Sequence, residues 1–451
     1  MSDFFLSLSR NTLARRMVKK SGLPIPMPQN LKRQKAPWTH QTLAGHKIAL
    51  GGHENGGFYG VLAGILTDAG AEISGDPPKL DGLVFDASSL DTPQSLKGLF
   101  EYIHDRVGKL LPCSHVLVIG RDFSQEHAEE IDPLAVATQE ALTGFVRSLA
   151  KEMGSRGSTA NLVMARDGVD LGGMIRFFLS HHSSFVSGQE LHAAGSVEAV
   201  LRFEKMLEGR TILVTGAAQG IGAAIARRVA AEGGKVLLLD RPQEMPALEA
   251  MAREVHGTVL PIDLLKVDAV EQTIKKLREW APIHGVVHNA GITKDKTIFK
   301  MNAEKWDSVM SLNLDIPTSL TQMMFGKEHD FVAAKNASFV YLSSVSGIAG
   351  NPGQTNYAAT KAGLIGYVQA MARSGKAGES RFNCVAPGFI ETRMTQAMPM
   401  AVREFARRFN SLNQAGEPDD VAQAVIFLLS DVSACVTGQT LRVCGQNLVG
   451  R

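Results

Sequence analysis

Apolar and polar positions fall into their clearest order between Arg210 and Asp240, RTILVTGAAQGIGAAIARRVAAEGGKVLLLD. Two unbroken apolar runs predict buried strands, and between them a glycine turn leads into an amphipathic helix. The second strand ends in Asp240. A later run, Phe339 to Leu342, reads as another buried strand, and SVSGIAGNPGQTNYAATK (Ser344 to Lys361) follows it. Tyr357 and Lys361 are four residues apart there, which stacks them one turn apart on one helix face.

The same plan occurs 164 positions earlier, in HKIALGGHENGGFYGVLAGILTDAGAEISGD. Gly52 falls on Gly216, Gly56 on Gly220, Gly70 on Gly234 and Asp76 on Asp240. Three more matches follow in order, at offsets of 203, 222 and 250. Ordered matches of this kind indicate an internal duplication. The growth of the offset says what the first copy lacks: 39 residues holding the third strand and Asp263, then 28 residues that in the second copy follow Pro387. The first copy also has Ala135 for Tyr357, Gln139 for Lys361, Asp86 for Asn289 and Phe58 for Gly222. Its chemistry is therefore expected to be lost, and assembly is its expected use. A binding module for another ligand is the alternative.

The chemistry of the second copy can be read from its residue types. Glycines at 216, 220 and 222 let the backbone approach a pyrophosphate at a helix N-terminus, where unpaired N–H groups favour anions. A phenol titrates near ~10, and an ammonium one turn away is expected to lower that toward neutrality. Ser344, at a strand's carboxyl end, faces the crevice where open α/β sheets bind ligands. Taken alone, the tyrosine and lysine also suit a surface pair; the glycine turn and strand order around them favour a site. Asp240 can accept hydrogen bonds from adenosine ribose hydroxyls and repels a 2′-phosphate. Arg241 could bind that phosphate instead, but the turn AAQG carries no basic residue, so NADH is favoured over NADPH.

On these motifs residues 205–451 resemble the short-chain dehydrogenase/reductase family: TGAAQGIG (Thr215 to Gly222), NAG (Asn289 to Gly291), Asn313, Ser344, Tyr357, Lys361, Pro387 and Gly388. The wording YAATKAGLIGYVQAMAR and TGQTLRVCG is most similar to the 3-oxoacyl-acyl-carrier-protein reductases, and the added front copy resembles their high-molecular-weight branch. The resemblance implies an α/β protein of two Rossmann-like doubly wound parallel sheets, the first a degenerate flavodoxin-like copy over 45–200. It implies a catalytic tetrad of Asn313, Ser344, Tyr357 and Lys361, with Asn313 carrying a proton-relay water. Cofactor contacts are implied for Gly216, Gln219, Gly220, Ile221, Gly222, Asp240, Asp263, Leu264, Asn289, Ala290, Gly291, Tyr357, Lys361, Pro387, Gly388, Ile390 and Thr392. Asp263 also suits a helix N-cap. The implied reaction is reduction of a 3-oxoacyl-carrier-protein or 3-oxoacyl-coenzyme A ester, in a homodimer that mimics a tetramer. A reductase of another ketone, or a non-enzymatic NADH scaffold, remain the alternatives.

Composition narrows the rest. The chain has 451 residues, 44% hydrophobic and 20% charged, with a net charge of +2. No basic field argues for nucleic acid. Cys113, Cys384, Cys435 and Cys444 show neither metal-ligand nor disulfide spacing, so no metal is expected and a reducing cytoplasm suits them. No apolar run reaches the roughly 18 residues of a membrane span. Residues 1–44 form a basic arm, read as packed on the protein rather than as a transit peptide or membrane-surface helix. Residues 388–418 read as a lid whose Met, Phe and Ala side chains suit an acyl chain or the helix's own packing. Arg403, Arg407 and Arg408 in it form either a solvated basic face or a site for an acidic partner or coenzyme A phosphate.

Overall fold

Apolar runs too long for one-sided burial become parallel strands covered by helices on both faces. A computed structural model describes residues 3–9, 11–21, 27–53, 57–75, 77–124, 132–195, 201–325, 332–375 and 378–447. In the first half the strands are β1 (Lys47–Gly52), β2 (Glu72–Ile73), β3 (Leu80–Asp86), β4 (Leu110–Arg121), β5 (Thr159–Ala165) and β6 (Glu190–Ala193). They form a six-stranded sheet in the order β2-β1-β3-β4-β5-β6, parallel throughout.

The second half contributes β7 (Thr211–Thr215), β8 (Lys235–Asp240), β9 (Thr258–Pro261), β10 (Ile283–His288), β11 (Ala333–Leu342), β12 (Arg381–Pro387) and β13 (Thr440–Val443). Their order is β13-β12-β11-β10-β7-β8-β9, and the pairings from β9 through to β12 are parallel. Removing the outer strand β9 leaves an order identical, strand for strand, to that of the first sheet. The duplication and the loss of the third strand are thus both visible in the topology. The first sheet keeps the flavodoxin-like order and the second the Rossmann order with its switch point between β7 and β10. Gly56 and Asp76 of the repeat lie outside the described residues.

The chain divides into two compact units, and the division is not a single cut in the sequence. One unit holds Met1–Ser196 together with Phe389–Gly416 and Val443–Leu448; the other holds Val197–Gly388 and Glu417–Arg442. The first unit is built on Leu83, Phe85, Val116, Val118, Leu142 and Val146. Leu31, Trp38 and Leu43 of the basic arm are buried in it. The second is built on Leu213, Val286, Leu320, Phe339, Tyr341 and Leu364.

Segment Phe389–Gly416 is the 28-residue piece that the first copy lacks, yet it belongs to the first unit. There Arg33 and Gln414 bond to the Ala415 and Gln29 carbonyls respectively, and Arg408 pairs with Asp3. The three arginines correct the reading of a basic face. Arg403 and Arg407 are buried, and Arg407 pairs with Glu391 at 2.6 Å and with Glu404. The helix Met400–Arg408 instead turns Met400, Val402 and Phe405 outward. A guanidinium with two carboxylate partners can be buried, so charge spacing alone did not reveal which face is covered.

Candidate active site

Strand β7 ends at Thr215, and the turn after it holds Gly216 and Gly220 at φ of +67° and +62°, which only glycine adopts freely. The helix Gly220–Ala231 then begins with Gln219 as cap, whose side chain makes no capping bond, and with no acid in the first turn. A helix N-terminus without a side-chain cap favours an anion. Gly222 is needed for closeness: a Cβ there would lie 2.0 Å from the Gly216 oxygen and 2.6 Å from Asn289 Nδ2. Asn289 fastens the turn from β10, donating to the Thr215 and Gly216 carbonyls at 2.9 and 3.1 Å. The Asn289 and Ala290 N–H groups both donate to Thr215 Oγ1 at 3.0 Å.

At the end of β8 the Asp240 carboxylate accepts from the Ala218 and Arg241 N–H groups at 3.0 and 2.8 Å. The Arg241 guanidinium pairs with Glu244 at 2.8 Å. After β9, Asp263 accepts from Leu265 N at 3.1 Å and Leu264 is buried. Pro387 ends β12 and Gly388 follows. Ile390 and Thr392 fall in the other compact unit, where Thr392 caps the short helix Arg393–Gln396 through Thr395.

Ser344, Tyr357, Lys361 and Asn313 come together within the second unit. Ser344 caps the helix Val345–Ala349, accepting from Ser346 N at 3.1 Å, and its hydroxyl is near enough to the Tyr357 phenol to favour the ionised form. Both Tyr357 and Lys361 lie on the helix Thr355–Ser374, with the ammonium 5.5 Å from the phenol ring centroid. Asn313 sits in a π-helical turn, Ser311–Asp315, inserted in the helix before β11. Such insertions are frequent at functional sites because they take carbonyls out of the regular ladder. Asn313 exchanges two 2.9 Å hydrogen bonds with the backbone of Ile292. Beside it, a Cβ on Gly291 would lie 3.1 Å from Asn313 Oδ1 and 3.6 Å from Lys361 Nζ.

The electrostatics correct one expectation. Burial pushes the Tyr357 phenol up from its ordinary value; the Ser344 hydroxyl pulls the other way, and the Asp295 charge adds to the rise. Lys361 does not reverse this. Its ammonium donates to the Leu342 carbonyl at 2.6 Å, and burial lowers its own pKa to about 8. Desolvation outweighs the helical neighbour. The phenol is an acid here, held in its protonated form.

Two residues escaped the sequence reading. Gln354 donates to Asp295 at 2.9 Å and accepts from Ser346 Oγ and Asn351 Nδ2 at 3.1 and 2.9 Å. Together with the Lys296 N–H to Gly353 O bond of 2.8 Å, this ties the loop after the NAG turn to the loop carrying Ser344. An exposed acid 59 positions from its partner gives no periodic signal.

The corresponding places in the first unit are occupied by the chain itself. Asp86, in the position of Asn289, cannot donate as an amide does; its carboxylate instead accepts from the Phe58 N–H at 2.6 Å and from Ser88 Oγ at 2.6 Å. That N–H belongs to the cap of the helix Tyr59–Asp68, the counterpart of the glycine-turn helix. An acid of the chain therefore takes up an N–H group at the start of this helix. Gln139, in the place of Lys361, is buried and spends its amide on Ala87 O, Leu90 O and Arg121 N. Among the described residues, no group of His, Cys, Asp or Glu is arranged to hold a metal ion, and no helix is long and apolar enough to cross a membrane.

Comparison with known proteins agrees with this geometry. The family model described as enoyl-(acyl carrier protein) reductase matches residues 216–445. The 3-oxoacyl-[acyl-carrier-protein] reductase of Thermotoga maritima is 41% identical over 245 residues, 98% of that protein and 53% of this chain. An acetoacetyl-CoA reductase of Synechocystis is 41% identical over 241 residues, 96% of it and 53% of this chain. Among solved structures, an angucycline C-6 ketoreductase with bound NADP aligns at 24% identity and a TM-score of 0.49, covering 96% of that chain and 53% of this one. The turn, the family model and the two reductases similar in sequence lead to one conclusion: the chain belongs to the short-chain dehydrogenase/reductase family of oxidoreductases, and within it resembles the 3-oxoacyl-[acyl-carrier-protein] reductases.

Proposed function

We propose that the second unit reduces the 3-oxo group of an acyl thioester, carried on acyl carrier protein or coenzyme A, with NADH as the reductant. The observation that supports this reading most is the meeting of Ser344, Tyr357, Lys361 and Asn313 beside the glycine turn. The substrate class rests on the relatives, which are a 3-oxoacyl-carrier-protein reductase and an acetoacetyl-CoA reductase.

The turn fits a dinucleotide: the helix start has no side-chain cap, and Gly222 lets the helix lie close against the Gly216 carbonyl. Gly216, Gln219, Gly220, Ile221 and Gly222 would hold the pyrophosphate, Asp240 the adenosine ribose, and Asp263 and Leu264 the adenine side. Asn289, Ala290, Gly291, Pro387 and Gly388 would border the nicotinamide end. When bound, the nicotinamide supplies the hydride. Ser344 Oγ donates to the substrate carbonyl oxygen and polarises it. Tyr357 gives its proton to that oxygen as it becomes an alkoxide. A phenol raised by burial stays protonated until this moment, which suits a reductase. Lys361, with a pKa near 8, can return a proton to the phenol, and Asn313 would hold the water that connects Lys361 with solvent.

NADH is favoured because Asp240 lies at the ribose end and Arg241 is already paired. The first unit, its helix start taken up by Asp86, serves assembly in a homodimer of four α/β units; a monomer in light scattering would refute that. For the activity, NADH oxidation is followed with acetoacetyl-coenzyme A against a panel of simple ketones. Turnover of the thioester is expected to dominate. Turnover restricted to other ketones would overturn the substrate class.

A further inference from the structure

The step from β8 into the next helix shows which residue holds Arg241. After Asp240 the chain enters a single 3-10 turn, Pro242–Glu244, with Arg241 as its cap. The Glu244 N–H donates to the Arg241 carbonyl at 2.9 Å, and Pro242 fixes the backbone torsion at the first position. In a 3-10 turn, side chains three residues apart lie one above the other. Arg241 Nη2 accordingly meets Glu244 Oε1 at 2.8 Å. The Glu244 side chain is 24% exposed and that of Arg241 55%, so the carboxylate is the better anchored partner and the guanidinium comes to it.

Arg241 is the basic residue closest in sequence to the ribose-binding end, and it is the group a 2′-phosphate would need there. We infer that Glu244 is a cofactor-specificity residue, which holds Arg241 in an ion pair and so withholds the guanidinium from a phosphate on the adenosine ribose. The inference rests on the reading that Asp240 receives that ribose. Glu244 acts through its neighbour: it is a positioning residue and need not touch NADH itself. Exposed ion pairs are weak, so the expected effect is several-fold rather than many orders.

The test uses the full-length chain and titrates NADH and NADPH separately by calorimetry, so that it does not depend on turnover. The wild type, Glu244→Gln, Arg241→Ala and the double variant are compared. Glu244→Gln is expected to shift the ratio of the two Kd values toward NADPH about fivefold. The double variant is expected to lose that shift, because the freed guanidinium is what captures the phosphate. An unchanged ratio in Glu244→Gln overturns the inference, and so does a shift that persists in full without Arg241. A wild type that binds NADPH more tightly than NADH refutes the Asp240 reading instead, and is distinguished by being seen before any substitution.

Discussion

Adding one methyl group at Gly222 offers a stringent test of the cofactor turn. Gly222 is helical, so Gly222→Ala carries no backbone penalty and by propensity alone would stabilise the helix by about 0.8–1 kcal/mol. The structure opposes this gain, since the new Cβ would stand 2.0 Å from the Gly216 carbonyl oxygen and 2.8 Å from its carbon. Those are backbone atoms, pinned by Asn289 from β10, and cannot swing aside as a side chain would. The helix start must move by roughly 1 Å, and overpacking of this kind typically costs about 1–3 kcal/mol. The net expectation is a loss of up to roughly 2 kcal/mol in the catalytic unit. NADH affinity should fall at least tenfold, about 1.4 kcal/mol, because the displaced N–H groups are those meant for the pyrophosphate. Gly366→Ala serves as the control. It lies within the helix Thr355–Ser374, where a Cβ would meet nothing within 4 Å, so the propensity gain should appear undiminished. Calorimetric titration with NADH and thermal unfolding check both variants. A Gly222→Ala protein that binds NADH and melts like the wild type would refute the close-approach argument; a Gly366→Ala protein equally damaged would refute the control.

Three further outcomes are expected. Tyr357→Phe should lose about two to four powers of ten in turnover with NADH affinity kept within a few-fold; wild-type turnover would remove the phenol from the mechanism. Asp240→Ala should lose most of the discrimination against NADPH, and equal ratios before and after would detach Asp240 from the ribose. In the first unit, His192 lies between Asp122 and Glu190 at 3.1 and 3.3 Å, and these partners raise its pKa to about 9. A raised folded pKa means that the stabilisation is full below about 6.5 and lost as pH rises through 9. With the side chain 40% exposed, screening reduces the contribution to roughly 1 kcal/mol or less. Thermal midpoints of wild type and His192→Gln should therefore converge between pH 6.5 and 9.5; a constant gap would refute the assignment.

The sequence was most informative where the determining contacts are short in range or repeated. Strand, glycine turn and helix from Arg210 to Asp240 follow from local periodicity, and the tyrosine and lysine share a face because four residues make one turn. The missing third strand was legible as a step in the repeat offset, since a sheet can lose an outer strand without reordering the others. The strand orders of both units agree with this.

What the tertiary structure decided depends on neighbours far away in sequence. The phenol is raised because burial is a property of the whole surrounding shell, which a single cation one turn away does not offset. Arg407 points inward because Glu391, outside its helix, and Glu404 on it meet its guanidinium. Asp86 accepts from the start of the first copy's helix because β3 places its carboxylate against Phe58 N, 28 residues away. The segment Phe389–Gly416 joins the unit that lacks it in sequence. Periodicity determines which residues share a face; only the folded chain determines what that face meets and how much water is left there.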